Sequence, residues 1–331
     1  MKYAIDEKRT LTIGGIPQAV RIRSTDASLP VLLFLHGGPG VCDRHWVLRD
    51  QSALAEIATM VCWDQRGAGL SWSPKLKAGD MRIDRCVEDA HELIAWLKQR
   101  FGKDSVYVVG HSWGSILGTL LCQKYPEDVA AYIGMGQFVN GPENERLSYE
   151  FVLEEAKKRG DKKALRDLER IGWPKEGHYA SIDDLMVQRN LMTKYGGEDY
   201  GESDGIMKAM ILPILRSPEY SLADMWKYYK GAFFCLNSMW DEVVDLRFDL
   251  TVPELNVPVY LTEGRHDQNT PIPLAKAWFD QLSAPRKEWI WFEKSAHSPI
   301  KNEPELWGAA VRDIVLKEEA ARKPMDETAN P

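Results

Sequence analysis

One serine in this sequence stands where it could act as a nucleophile. Ser112 is the centre of Gly-His-Ser-Trp-Gly at 110–114, which follows a β-branched and aromatic run at 106–109 and precedes an apolar helical pattern. This spacing is typical of a strand-turn-helix junction in which glycines make room for a very tight turn. The turn exposes the hydroxyl at a helix N-terminus, where developing negative charge is stabilised. The motif predicts a nucleophile at Ser112; the alternative is an ordinary helix N-cap serine.

A serine hydroxyl needs a base to accept its proton, and that base needs an acid to orient it. In this type of motif the acid and then the histidine follow the serine in the chain. Three histidines follow Ser112, namely His178, His266 and His297. His297 lies in a loop after the last predicted core strand, whereas His178 falls in a helical region and His266 directly precedes the predicted acid. We therefore predict His297 as the base.

Asp267 is the predicted acid. It lies in the loop 263–271, which follows the apolar strand 259–262. The carboxylate is therefore expected at the carboxyl end of the sheet, where ligands bind in such folds. An Asx-turn role is the non-catalytic interpretation, and an alternative acid lies near Glu143 in a setting that is less strand-terminal.

Two backbone N–H groups are predicted to stabilise an oxyanion. One belongs to Trp113, the residue after the nucleophile, and the other to Gly38 in the loop His-Gly-Gly-Pro-Gly at 36–40. Glycines allow a backbone to approach a developing oxyanion closely, and a plain Gly-Pro turn does not require three of them after a buried strand. His36 is interpreted as a hydrogen-bonding brace of this loop.

The elements that must position these residues alternate between strand and helix. Apolar runs at 31–35, 60–63, 106–109 and 129–134 are separated by helical patterns, which predicts a parallel sheet with right-handed crossovers. Residues 140–250 have charged helical patterns and no convincing buried strand. The sequence therefore predicts an α/β fold with a mostly parallel sheet, a core at 1–139 and 251–331, and a helical cap at 140–250. The tail 323–331 is predicted to be disordered.

Composition limits the partners of this protein. The 331 residues have a net charge of −7, with no basic run of five residues or more, which argues against nucleic acid. Five scattered cysteines indicate neither a zinc site nor a disulfide framework. The N-terminus is charged, and the longest aliphatic run covers 31–35, too short to span a bilayer. We expect a cytoplasmic enzyme with no metal or cofactor, no membrane association and a small-molecule or short-peptide substrate.

Five segments together resemble the proline iminopeptidase branch of the α/β-hydrolase superfamily: HGGPG at 36–40, DQRGAGLS at 64–71, GHSWGS at 110–115, GRHD at 264–267 and SAHSP at 295–299. The resemblance implies an α/β-hydrolase fold with a helical cap over the site. It implies that Ser112, Asp267 and His297 form a catalytic triad, with Gly38 and Trp113 as oxyanion donors. It also implies that Asp64 and Arg66 are structural braces.

Substrate choice is where the sequence departs from this branch. Members that cleave N-terminal residues hold the free amine with cap glutamates, and in some a glutamate directly follows the catalytic aspartate. Here Gln268 occupies that position, and the cap carboxylates Asp241 and Glu242 cannot be assigned to an amine site. We consider several side chains between Trp226 and Trp240 as an apolar acyl pocket, or equally as cap packing. The candidate substrate-binding residues are Trp226, Phe233, Phe234, Trp240 and Glu242.

These patterns favour a cofactor-independent serine hydrolase that removes N-terminal residues from short peptides. An ester, lactone or amide hydrolase is the alternative within the same class, and a non-catalytic ligand-binding homologue is an alternative of another class. Dehalogenase or epoxide-hydrolase chemistry is disfavoured, because it uses an aspartate nucleophile where this chain has Ser112. The sequence leaves open the substrate, the open or closed state of the cap and the oligomeric state.

Overall fold

The computed structural model describes residues 2–201, 214 and 217–322, so the predicted disordered tail at 323–331 lies outside the described residues. One eight-stranded sheet forms the core, in the order β1-β2-β4-β3-β5-β6-β7-β8. The strands are β1 (Ile5–Ile13), β2 (Ile16–Ser24), β3 (Val31–Leu35), β4 (Thr59–Asp64), β5 (Val106–His111), β6 (Val129–Met135), β7 (Val259–Gly264) and β8 (Lys287–Phe292).

The sheet is parallel from β4 through β8 and antiparallel at β1 and β2. The strands β3 to β7 are buried at every position, because helices cover both faces of the sheet. The predicted mostly parallel α/β sheet is confirmed. Since parallel strands all end at the same edge, the loops after β3, β5 and β7 meet there.

The described ranges contain eleven α-helices. They are α1 (Arg44–Asp50), α2 (Ile83–Phe101), α3 (Trp113–Lys124), α4 (Gly141–Lys158), α5 (Lys162–Ile171), α6 (Ile182–Lys194), α7 (Leu222–Val244), α8 (Phe248–Thr251), α9 (Ile272–Gln281), α10 (Pro299–Asn302) and α11 (Pro304–Arg322). None of the helices in the described ranges is long and apolar enough to cross a membrane.

Helices α4 to α8 lie between β6 and β7 in the chain, and we call residues 141–251 the cap segment. Helices α4, α5 and α6 share a small apolar core of their own, which includes Val152, Leu168 and Met192. Gly160 lies between α4 and α5. The glycine has a φ of 64°, and α5 begins two residues later with Asp161 accepting a hydrogen bond from the N–H of Ala164 at 3.0 Å.

Candidate active site

Ser112 occupies a strained turn between β5 and α3. Its φ is 55° and its ψ is −118°, a backbone conformation that residues other than glycine rarely adopt. Neither flanking glycine can be replaced by a larger residue without a clash. A Cβ atom at position 110 would lie 2.5 Å from the carbonyl oxygen of Gly114, and a Cβ atom at position 114 would lie 1.9 Å from the carbonyl oxygen of Leu35. The N–H of Ser112 donates to the carbonyl of Met135 at 2.9 Å. Packing therefore holds the serine in its strained conformation.

The loop after β7 brings a carboxylate to the imidazole of His297. The Nδ1 of His297 and the Oδ2 of Asp267 are 2.9 Å apart, and both side chains are buried. Three further donors bind the same carboxylate: the N–H of Asn269 at 2.8 Å, the N–H of Thr270 at 2.9 Å and the hydroxyl of Thr270 at 2.7 Å. An ionised carboxylate only accepts hydrogen bonds, so Nδ1 carries a proton in both charge states of His297, and Nε2 is the acceptor when the imidazole is neutral.

The backbone and ring of His297 are held on several sides. Its N–H donates to the carbonyl of Glu198 at 3.0 Å, and the Nε2 of His111 lies 3.2 Å from its carbonyl oxygen. A Cβ at Gly136 would lie 2.7 Å from Nδ1 of the ring, so only glycine allows this approach. The Nε2 of His297 is buried and has no hydrogen-bond partner among the described residues. Ser112 and His297 line the same cavity.

Buried carboxylates determine the charge of this imidazole. Burial alone lowers the pKa of His297, but the carboxylate of Asp267, followed by those of Glu198 and Glu263, outweighs it and raises that pKa to about 9. Burial raises the pKa of Glu198 and of Glu263 as well, so Asp267 is the main source of negative charge. Glu263 is fully buried on β7, where its Oε1 accepts the N–H of Gln137 at 3.1 Å. Burial lowers the pKa of the neighbouring His111, which keeps it uncharged. The imidazolium form of His297 is therefore favoured in the resting site.

This electrostatic setting predicts an alkaline pH profile. A base must be neutral to accept a proton, so kcat/KM is expected to rise about tenfold per pH unit and to level off near pH 9, the value to which the pKa of His297 is raised. The measurement should use an aryl ester without an amine, because a substrate amine itself titrates near pH 8. A rise of kcat/KM with its midpoint near the ordinary histidine pKa of about 6.5 would contradict this expectation.

The two predicted oxyanion donors border the same cavity. Gly38 has a φ of 120°, and a Cβ there would lie 2.4 Å from the nitrogen of Gly40, so the loop admits only glycine at this point. The indole of Trp113 donates to Gln65 at 2.8 Å. His36 lies buried behind the loop, where its Nε2 accepts the N–H of Gln65 at 3.2 Å. These contacts fix the loop against the turn at Ser112.

The predicted braces contact protein groups. Arg66 forms a buried ion pair with Asp89 at 2.7 Å. Asp64 accepts the N–H of Leu70 at 2.9 Å and the hydroxyl of Tyr220 at 3.0 Å. Asp64 therefore joins the core loop to the segment that leads into α7.

The cavity has a volume of about 370 Å³ and lies between the carboxyl edge of the sheet and the cap segment. One face of α7 forms much of its wall. The cavity-lining residues of α7 recur at helical spacing and are Met225, Tyr228, Tyr229, Ala232, Phe233, Leu236, Trp240 and Val243. Of the residues predicted to bind substrate, Phe233 and Trp240 are therefore on the cavity.

The other three residues predicted to bind substrate are not among the residues that line the cavity. The helical period turns Phe234 and Glu242 to other faces of α7, whereas Trp226 lies on the same side as Phe233, seven residues earlier. Trp226 packs edge-on against Trp72, with ring centroids 5.0 Å apart. Phe234 packs against the main hydrophobic core. Glu242 accepts the N–H of Ile83 at 3.2 Å, at the start of α2. These three assignments are corrected.

The alternative acid and bases make other contacts. Glu143 pairs with Arg146 on an exposed face of α4. His178 pairs with Asp245 at 2.9 Å, and neither residue belongs to the loops that contain Ser112, Asp267 and His297. The ring of His266 packs against Tyr200. None of these three is a cavity-lining residue among those described.

Four charged cap residues that the sequence analysis missed line the cavity, namely Glu145, Arg189, Glu198 and Asp199. Arg189 donates to Glu145 at 2.6 Å. Glu198 accepts from the side chain of Asn269 at 2.5 Å, next to the acid loop. Helical charge patterns of this kind usually mark solvated faces, so their sequence contains no clear signal. In the part of the chain that the structure describes, no group of three or more His, Cys, Asp or Glu side chains could hold a metal ion.

Comparisons with known proteins agree with this architecture. A model of the α/β-hydrolase fold family matches residues 30–171. A protein named "Probable aminopeptidase YbaC" from Bacillus subtilis (strain 168) is 32% identical over 309 residues, which cover 92% of this chain and 95% of that protein. A proline iminopeptidase from Heyndrickxia coagulans is 27% identical over 311 residues, covering 91% of this chain and 96% of that protein. A proline iminopeptidase structure from Mycobacterium smegmatis matches with a TM-score of 0.62 and 17% identity, over 96% of this chain and 100% of that one.

The chain belongs to the α/β-hydrolase family. It is a hydrolase whose relatives include proteins named aminopeptidase and proline iminopeptidase. The predicted resemblance and the predicted enzyme class are confirmed, and the hypothesis of a non-catalytic binding protein is set aside.

Proposed function

We propose that this protein is a serine hydrolase that acts by acyl transfer through Ser112, His297 and Asp267. The observation that carries the proposal is the buried His297–Asp267 pair, whose open Nε2 shares a cavity with the strained Ser112. His297 accepts the proton of Ser112 as its Oγ attacks the substrate carbonyl, and Asp267 stabilises the imidazolium. The backbone N–H groups of Gly38 and Trp113 donate to the oxyanion.

The proton on His297 then moves on as the acyl-enzyme forms and is hydrolysed. His297 donates its proton to the leaving group, and the acyl group remains bonded to Ser112 Oγ. Water then gives a proton to the neutral His297 as it attacks the acyl carbonyl. The bond between the acyl carbon and Ser112 Oγ breaks, His297 returns the proton to Oγ, and the acid is released. We also propose that residues 140–250 act as a cap that sets substrate choice, since α4, α6 and α7 supply much of the cavity wall.

Within this class we propose an aminopeptidase that acts on short peptides. Glu198 is the group that supports this substrate, because its carboxylate lines the cavity and its backbone carbonyl binds the N–H of His297. A carboxylate this close to the base can hold the ammonium group of an N-terminal residue while its carbonyl reaches Ser112. The names of the relatives favour the same activity.

Removing this carboxylate tests the amine site. The Glu198→Gln variant is expected to lose roughly 10- to 100-fold in kcat/KM for proline and alanine arylamides with a free amine, the range for a hydrogen bond to a charged group. Hydrolysis of aryl esters without an amine should be almost unchanged at pH 9, where the pKa shift that this variant causes at His297 matters least. Glu143→Gln, on an exposed face of the cap segment, is the matched control.

A substrate panel separates the two candidate activities. Aminoacyl arylamides that are hydrolysed only while their amine is unblocked would establish the peptidase. An ester, lactone or amide hydrolase is the second candidate, favoured by Gln268 beside Asp267 and by the largely apolar α7 wall. Ester turnover that is indifferent to an amine, with no arylamide turnover, would overturn the peptidase and support this alternative.

A further inference from the structure

Four buried polar atoms gather around Arg189 without a hydrogen-bond partner in the described part of the chain. They are Glu145 Oε2, Tyr179 OH, Gln188 Nε2 and Trp240 Nε1. Arg189 connects them: it donates to Glu145 Oε1 at 2.6 Å and to the Oε1 of Gln188, and its guanidinium lies 5.5 Å from the ring centroid of Trp240. Burial, and then the neighbouring Glu145 carboxylate, raises the pKa of Tyr179. We call these five residues the Arg189 cluster.

The Arg189 cluster borders the catalytic cavity. Glu145, Arg189 and Trp240 line the same cavity as Ser112. The side chain of Asn144 binds Glu145 at 3.2 Å and the carbonyl of Asn269 at 2.8 Å, which ties the cluster to the acid loop. Glu145 is only 1% exposed and Gln188 is fully buried, so bulk water does not satisfy their open atoms. A polar ligand group in the cavity can satisfy those that face it.

The charges of the cluster define the chemistry of such a group. The guanidinium of Arg189 already neutralises Glu145, so the cluster does not demand a further cation, and a substrate carboxylate would be repelled by Glu145. Of its open atoms, Glu145 Oε2 and Trp240 Nε1 belong to residues that line the cavity, which leaves one acceptor and one N–H donor for a ligand group there. A neutral group that both donates and accepts complements this set. An apolar group would leave the atoms unpaired, and such sites discriminate strongly against it.

We propose that the Arg189 cluster is a specificity subsite for a neutral hydroxyl or carboxamide on the acyl part of the substrate. The proposal rests on the proposed function, because it assumes that this acyl part is transferred to Ser112. It is independent of the amine site at Glu198, and it holds for an ester substrate as well as for a peptide.

Isosteric esters test this subsite. Aryl esters with acyl chains that end in a carboxamide are compared with esters of the same length that end in an isopropyl group, over a short series of chain lengths. We expect kcat/KM to favour the carboxamide by about tenfold or more at one length. Trp240→Phe keeps an aromatic ring beside Arg189 but removes the N–H, and should reduce the ratio of the two kcat/KM values, carboxamide over isopropyl, several-fold.

Trp226→Phe is the matched control, because Trp226 lies on the same helix but packs against Trp72 away from the cavity. Equal rates for the two esters at every length, or a preference that Trp240→Phe does not alter, would show that the cluster holds only ordered water and would overturn the proposal. If neither ester is hydrolysed, calorimetric binding of the same esters to Ser112→Ala decides the subsite, and the arylamide panel tests the proposed function separately. Tighter binding of the carboxamide supports the subsite, and equal binding overturns it.

Discussion

Replacing Ser112 with alanine is expected to lower kcat by roughly 10⁴- to 10⁶-fold. Without Oγ no acyl-enzyme forms, and only substrate binding and the oxyanion donors still accelerate the reaction. KM should change little, because the cavity walls and the amine site are untouched. The turn is held by Gly110, Gly114 and their contacts with the neighbouring backbone, so the variant should fold normally.

Steady-state kinetics on the best substrate of the panel, with the thermal unfolding midpoint measured alongside, checks this expectation. Ser28→Ala, in an exposed loop, is the control and should retain full activity. A Ser112→Ala variant that keeps more than about a hundredth of wild-type kcat would contradict nucleophilic catalysis by Ser112.

The second large effect is expected at Asp267. Asp267→Asn should lower kcat by about 10⁴-fold, because an amide facing Nδ1 favours the tautomer whose proton is on Nε2. The substitution also removes the carboxylate that most strongly raises the pKa of His297. The rise of kcat/KM with pH should therefore occur at lower pH than in the wild type. Both consequences follow from the 2.9 Å contact between His297 and Asp267.

The pH profile separates this role from simple loss of structure. Kinetics from pH 5 to 10 on an aryl ester should show the displaced limb together with the lower plateau. Asp241→Asn, on an exposed part of α7, should leave both unchanged. If Asp267→Asn keeps kcat within tenfold of wild type and its pH profile does not shift, Asp267 is not the acid that orients His297.

Local signals in the sequence were sufficient for the core and for the loops at its edge. The apolar runs that become β3 to β7 are short and bounded by turn residues, and a strand buried on both faces has few alternatives. Ser112 directly follows such a strand and Asp267 lies in the loop beyond another, whereas His297 lies in the loop after β8, a half-buried strand at the edge of the sheet. Parallel strands end at one edge, so strand order alone brings these loops together.

The cap segment could not be predicted to the same depth. Aromatic side chains occur around α7 on more than one face, so composition did not separate Phe233 and Trp240 from Phe234 and Trp226. A helical projection places Trp226, Phe233 and Trp240 on one side of α7, because they are seven residues apart, so it would have separated Phe234 but not Trp226. Glu145 and Glu198 had no such signal, because each reaches the cavity only through the packing of α4 and the residues after α6 against the acid loop.

Labelling with a fluorophosphonate tests the role of Ser112 most directly, since the probe phosphonylates a serine only when a base activates it. Intact-mass analysis of the wild-type protein should show one adduct, and peptide mapping should locate it at Ser112. Ser112→Ala should remain unlabelled under the same conditions, and Asp267→Asn should react much more slowly. An adduct on another residue, or equal labelling of wild type and Ser112→Ala, would contradict the proposed mechanism.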